Sequence, residues 1–89
     1  MEIIYSEKFQ RDLKKLQAES QNLVEKLFSL IQDIKKNPKS GIGKPEQLRG
    51  NMSGHWSRRI SQKHRLIYII DEAKKIVILI SCYNHYNDR

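Results

Sequence analysis

The sequence predicts an α+β fold of β-α-α-β-β-β-β order, with two helices packed on one face of a mostly antiparallel sheet. Three observations carry this prediction. Apolar residues before Pro38 recur at helical spacing, those after Pro45 fall into short β-branched runs, and the breaks between those runs are short and polar. Short breaks favour antiparallel neighbours, because parallel strands need a long crossover.

Glu2-Ile3-Ile4-Tyr5 has the β-branched and aromatic content of a strand, and Ser6 offers an N-cap oxygen ahead of Glu7 and Lys8. Phe9, Leu13 and Leu16 mark a first amphipathic helix. Ser20 opens a second, with Leu23, Leu27, Leu30, Ile31 and Ile34 on its apolar face. That helix must stop near Asn37, since Pro38 restricts its predecessor and has no N–H to donate. A loop runs from Pro38 to Pro45, and four strands are expected at Glu46 to Arg49, His55 to Ser61, Arg65 to Asp71 and Lys75 to Cys82. Ile76-Val77-Ile78-Leu79-Ile80 is apolar on both faces, the signature of a central strand.

The 89 residues suit one domain, and 38% apolar with 30% charged residues describes an ordinary globular chain. The longest apolar run is far below the roughly 20 residues of a membrane-spanning helix. The single Cys82 cannot form an internal disulfide, and the first ten residues lack the apolar core of a signal peptide, so a cytoplasmic protein with no membrane association is expected.

The net charge of +7 is unevenly spread. Residues 44 to 65 carry six basic side chains (Lys44, Arg49, Arg58, Arg59, Lys63, Arg65) against one acid, Glu46, and so hold +5 of the +7. A solvated face usually interleaves both signs; this segment instead has the footprint of a phosphate-binding surface, where each cation displaces a condensed counterion.

Cleavage of RNA without a metal needs a base for the 2'-hydroxyl, an acid for the leaving 5'-oxygen and cations for the charged phosphorane. Glu46 is the carboxylate available within the cationic segment, where its charged form is favoured; a salt bridge to Arg58 or Arg65 is the alternative reading. His85 follows the last strand, where loop ends often carry function, and His55 and His64 are the competing imidazoles. To act as the acid, His85 would need a carboxylate such as Glu46 close by. Arg65 opens a strand and can present a planar guanidinium to a phosphate, with Lys44, Arg49, Arg58 and Arg59 available for flanking phosphates. Strand alternation puts Arg58 and Arg59 on opposite faces, so only one of them can face a given groove. Tyr83 and Tyr86 offer stacking rings, Tyr83 being equally suited to the core, and Trp56 reads as core. One cysteine and three scattered histidines lack metal-ligand spacing, no glycine loop precedes a helix as a phosphate cradle would, and no cofactor is implied.

Gly43-Lys44-Pro45-Glu46, Leu48, Asn51-Met52-Ser53-Gly54-His55-Trp56-Ser57-Arg58-Arg59-Ile60, His64-Arg65-Leu66-Ile67-Tyr68 and Cys82-Tyr83-Asn84-His85-Tyr86 together resemble the YoeB/Txe toxins of the RelE superfamily. The resemblance spans nearly the whole chain and implies a RelE-like, microbial-RNase-like fold. It further implies the toxin of a type II toxin-antitoxin system that cuts mRNA in the ribosomal A site and inhibits translation. A YefM/Phd-type antitoxin would wrap around it and block the site; operator DNA would be bound only by that complex, and a homodimer is compatible with the family.

By motif, the resemblance makes Glu46 the base, Arg65 the phosphate stabiliser, His85 the acid and Tyr86 its positioning neighbour. Lys44, Arg49, Arg58 and Arg59, with Lys63 of the same basic segment, become the RNA contacts. Family members commonly end at this tyrosine, whereas Asn87-Asp88-Arg89 follow it here, and Tyr5 stands where a tryptophan is familiar, read as a conservative core change. A non-catalytic nucleic-acid-binding module is a competing reading that charge alone does not separate. The gyrase-poisoning ParE branch is another, and it lacks this acid-base set.

Overall fold

The computed structural model describes residues 1–83. The expected order holds, as β1 (Glu2–Tyr5), α1 (Glu7–Glu19), α2 (Gln21–Lys36), β2 (Glu46–Gln47), β3 (His55–Arg59), β4 (Arg65–Asp71) and β5 (Ile76–Ser81). The helix boundaries are set by two serines. Ser6 Oγ accepts from Phe9 N at 3.0 Å, and its hydroxyl donates to Ile80 O at 3.1 Å, so one residue caps α1 and ties it to the sheet. Ser20 ends α1 and caps α2, its Oγ accepting from Leu23 N at 3.4 Å. α2 ends at Asn37, before Pro38.

The five strands form one sheet in the order β1-β5-β4-β3-β2. All neighbours are antiparallel except β1 and β5, which pair in parallel, Glu2 with Ile76 through Tyr5 with Leu79. The apolar run of β5 accordingly lies inside the sheet, between β1 and β4. β2 is shorter than the expected Glu46 to Arg49, because the chain leaves the ladder after Leu48 and enters a 3-10 turn at Gly50–Met52. Backbone bonds extend its pairing beyond those two residues, Leu48 N to His55 O at 2.9 Å and Arg59 N to Gly43 O at 2.7 Å.

Both helices cover one face of the sheet. Phe9 and Leu16 of α1, with Val24, Leu27, Leu30, Ile31 and Ile34 of α2, meet Leu66, Tyr68, Val77 and Leu79 from the strands, and Trp56 packs against this core as expected. Tyr5 is a correction to the expected core change: it is 48% exposed, its ring stacked on Phe9 at the sheet margin with centroids 5.7 Å apart. No helix among the described residues is long and apolar enough to cross a membrane.

Because side chains alternate along a strand and paired residues share a face, the pairings also assign the face without helices. With Trp56, Arg58, Leu66 and Tyr68 turned to the helices, that helix-free, open face takes Glu46, His55, Ser57, Arg59, Arg65 and Ile67, of which Glu46 and Arg59 are exposed while Ser57 and Ile67 are buried.

Candidate functional site

Glu46 lies on the edge strand, opposite Ser57, and Arg59 lies two residues further along β3, opposite Arg65. Glu46 and Arg59 are therefore diagonal neighbours on the open face, about 7–8 Å apart at the backbone. The edge is held in place from the loop side. Gly43 (φ +82°) and Lys44 (φ +52°) take successive left-handed conformations that turn the chain into Pro45-Glu46. At Gly43 a β-carbon would come within 2.6 Å of a Leu30 methyl, so glycine is required there for space as well as for φ.

Glu46 is solvent-exposed and borders a groove of about 1100 Å³ that Lys39, Pro45, Leu48, Arg49 and Trp56 also line. Among the described residues it forms no ion pair, with Arg58, Arg65 or any other cation. Lys44, Arg49, Arg59 and Lys63 are exposed as well. Arg65 is half-buried, and three bonds hold it, all through Nη1: to Ser61 O at 2.7 Å, His64 O at 3.2 Å and Gln62 O at 3.3 Å. The guanidinium thus closes the β3–β4 turn with one nitrogen, and among the described residues its Nε and Nη2 carry no hydrogen bond. That remaining edge is a two-donor fork of the kind that matches two phosphate oxygens.

Arg58 does not belong to this surface, contrary to the sequence-based expectation of an RNA contact. Its side chain is 0% exposed. Nη1 donates to Asp33 Oδ2 at 2.6 Å and Ile42 O at 3.1 Å, Nη2 to Asn37 O and to Ser40 O at 2.9 Å, and Nε to the Tyr68 hydroxyl at 3.0 Å. A buried cation must be paired and hydrogen-bonded, and the end of α2 with the following loop supplies every acceptor but the Tyr68 hydroxyl. Bonding to Arg58 holds the Asp33 carboxyl below the usual carboxylate range, while burial raises the Tyr68 hydroxyl. Arg58 organises the loop that leads to Lys44 and Glu46 from within.

The two competing histidines are also placed. His64 is fully buried, its Nε2 3.0 Å from Glu19 Oε2, which removes it from contact with any substrate. His55 is on the open face with its Nδ1 3.2 Å from Met52 O. His85 and Tyr86 lie outside the described residues. Cys82 is buried, and burial foremost, then the Asp12 charge, pushes its thiol up to about 12; such a thiol is no nucleophile.

Sequence reasoning missed the acids that organise these contacts. Asp12 accepts from Lys8 Nζ at 2.9 Å and from the backbone N–H of Cys82 at 3.1 Å, and Asp33 binds Arg58 and Ile42 N. The signal was present in the helical pattern: Asp12 shares the stripe of Phe9, Leu13 and Leu16, and Asp33 follows Leu30 by three, so each points toward the protein rather than solvent.

Residues 5–86 match the family model of the YoeB-like toxin of bacterial type II toxin-antitoxin systems. A YoeB toxin from Synechocystis sp. is 42% identical over 86 residues, covering 97% of this chain and 98% of its own. Among solved structures, a YoeB/ParE toxin from Agrobacterium tumefaciens superposes with a TM-score of 0.89 at 36% identity, covering 97% of this chain and all of its own. A YoeB-YefM complex from Staphylococcus aureus gives 0.82 at 37%, covering 97% and 98%.

Proposed function

Because the chain belongs to the YoeB-like toxin family of bacterial type II toxin-antitoxin systems, we propose that it is a ribosome-dependent endoribonuclease that cuts mRNA in the A site and inhibits translation. The observation that carries this reading is the exposed carboxylate of Glu46, free of ion pairs among the described residues, on the same sheet face as Arg59 and the two-donor edge of Arg65.

In the proposed reaction Glu46 takes the proton of the 2'-hydroxyl, whose oxygen attacks the adjacent phosphorus. The phosphorus–5'-oxygen bond breaks, leaving a 2',3'-cyclic phosphate. His85 gives its proton to the departing 5'-oxygen, and Tyr86 positions that histidine. General base and general acid each contribute typically about 10²–10⁴-fold. Nε and Nη2 of Arg65 meet the non-bridging oxygens as their charge grows, which is where preorganised donors act most strongly. Proton transfer is handled by side chains throughout, so the cycle is metal-independent and needs no cofactor. Lys44, Arg49, Arg59 and Lys63 position the mRNA and rRNA backbones and supply a salt-sensitive share of the affinity.

A YefM/Phd-type antitoxin neutralises the toxin in this reading, by similarity to the Staphylococcus aureus YoeB-YefM complex, and operator DNA is bound only by the toxin-antitoxin pair. A YoeB dimer from the same organism makes a homodimer the corresponding proposal for self-association. The setting is the cytoplasm, where the ribosomes are. Primer extension on translated mRNA tests the reading with the wild type, Glu46→Ala and His85→Gln. Cuts at A-site codons are expected with the wild type and are lost in both variants, which keep antitoxin binding. Persistent cutting by both variants overturns the mechanism, and growth arrest without any mRNA cutting points instead to a gyrase-type target.

A further inference from the structure

His55 lies on the open face and is not used by the mechanism above. Its Nδ1 is 3.2 Å from Met52 O. A carbonyl oxygen only accepts, so Nδ1 carries the proton and the neutral ring presents Nε2 as an acceptor. The carbonyl that orients the ring is itself held by backbone. Met52 ends the 3-10 turn Gly50–Met52 that joins β2 to β3, with Met52 N bonded to Arg49 O at 3.2 Å and Ser53 N to Gly50 O at 3.0 Å. The His55 side chain is half-buried, and among the described residues its Nε2 carries no hydrogen bond.

Three successive rows cross the open face at this edge of the sheet. Arg59 and Arg65 pair in the first, and Glu46, Ser57 and Ile67 make the second. The third holds His55 opposite Ile69, with Leu48 N bonded to His55 O at 2.9 Å on the other side. Neighbouring rows are two residues apart along a strand, about 6.6–6.8 Å. The first row carries two guanidiniums and the second one carboxylate. The third carries an imidazole between two aliphatic side chains, Leu48 buried and Ile69 half-buried.

We propose that His55 is a specificity-determining residue that reads the base of the nucleotide immediately 5' to the cut, accepting at Nε2 a hydrogen bond from that base's exocyclic amine. This rests on the reading of Glu46 as the base and Arg65 as the phosphate stabiliser. In a ribonucleotide the 2'-hydroxyl stands on the carbon between the one that bears the base and the one that bears the 3'-oxygen. A scissile phosphate at the arginine row and a 2'-hydroxyl at Glu46 therefore direct the base of that nucleotide toward the third row. There a ring and aliphatic surface replace the cations, which suits a base and not a phosphate. Adenine and cytosine present an amine where guanine and uracil present a carbonyl oxygen, so an acceptor at Nε2 favours the first pair. His55 takes no part in proton transfer.

The test is single-turnover cleavage on ribosomes programmed with mRNAs that differ only in the nucleotide 5' to the cut, the cut being mapped on each by primer extension. The wild type is expected to cut after adenine or cytosine about three- to tenfold faster than after guanine or uracil, the worth of one hydrogen bond. Cytosine against uracil is the decisive pair, because the two rings match in size. His55→Asn has an amide that can still donate to Met52 O but no group at the Nε2 position. It should remove the ratio, chiefly by slowing cleavage after cytosine. His55→Phe should do the same, so a folding defect in one variant leaves the other to decide. An undiminished cytosine preference in the variants, or no preference in the wild type, overturns the proposal. So does an equal loss on all four substrates, which would place His55 in folding or in the chemistry. Full cutting by Glu46→Ala in the same assay overturns the reading of the site instead, which separates the two failures.

Discussion

Adjacent arginines with opposite surroundings allow a sharp prediction. Arg58→Ala removes a fully buried guanidinium whose bonds end on the Asp33 carboxylate, the carbonyls of Asn37, Ser40 and Ile42, and the Tyr68 hydroxyl. Breaking a buried ion pair from one side costs about 3–5 kcal/mol, because the partner is left uncompensated. Some relief is available, since Asp33 keeps its bond from Ile42 N and Tyr68 still donates to Pro38 O. The loop carbonyls lie near solvent, so summing a full penalty of about 1–3 kcal/mol for each of them would overshoot. The figure of about 3–5 kcal/mol is therefore the expectation for the whole substitution. It is a large share of the roughly 5–15 kcal/mol that holds a domain together, and it corresponds to a fall in melting temperature of roughly 12–40 °C at this size. Arg59→Ala, one residue away and exposed, should stay within about 0.5 kcal/mol of wild type. Urea unfolding followed by tryptophan fluorescence measures both, with an unchanged dependence on denaturant showing that the unfolded state is not the source of the difference. A loss below about 1 kcal/mol for Arg58→Ala, or equal losses for the two variants, would refute the argument that this side chain holds the loop from inside.

Two further outcomes are expected. If Arg59 meets a phosphate, Arg59→Ala should reduce the slope of log affinity for the ribosome against log salt by about 0.9, as read from binding at several salt concentrations; an unchanged slope would exclude that contact. Glu19 and Asp33 both titrate below their ordinary values of 4.5 and 3.8 in the folded state, for the hydrogen bonds they accept. Their stabilisation is therefore complete above those ordinary values and is lost as the pH falls through the lowered folded ones. Urea midpoints from pH 7 to 2 should decline in that acid range, and the decline should be shallower in Glu19→Gln and Asp33→Asn; parallel declines in all three proteins would contradict the assignment.

Much of this molecule follows from local chemistry that one reading of the chain exposes. Serines before apolar stripes mark helix starts, Pro38 marks a stop, and alternation with short breaks marks antiparallel strands; each depends on neighbours within a few residues. Alternation also requires that Arg58 and Arg59 face opposite ways. It does not say which of them is inside, because that depends on which sheet face the helices cover. The structure settles it by closing α2 and the following loop over Arg58, 25 residues from Asp33 in the chain, and so reverses the surface role expected for that residue. Tyr5 was misjudged for the same reason, since its strand pairs in parallel at the sheet edge with β5, far along the chain.

The cationic segment and its single acid were visible in composition alone, but not that Glu46 stands clear of every ion pair among the described residues while Arg65 keeps two nitrogens available. The cluster at Glu19 lay furthest from sequence reasoning, because its bonds span 45 residues to His64 and 64 to Tyr83. Periodicity determines which way a side chain points from its own backbone. Which distant group it meets is decided by the packing of one element on another, and every reassigned or missed residue here is one whose partner arrives across that packing.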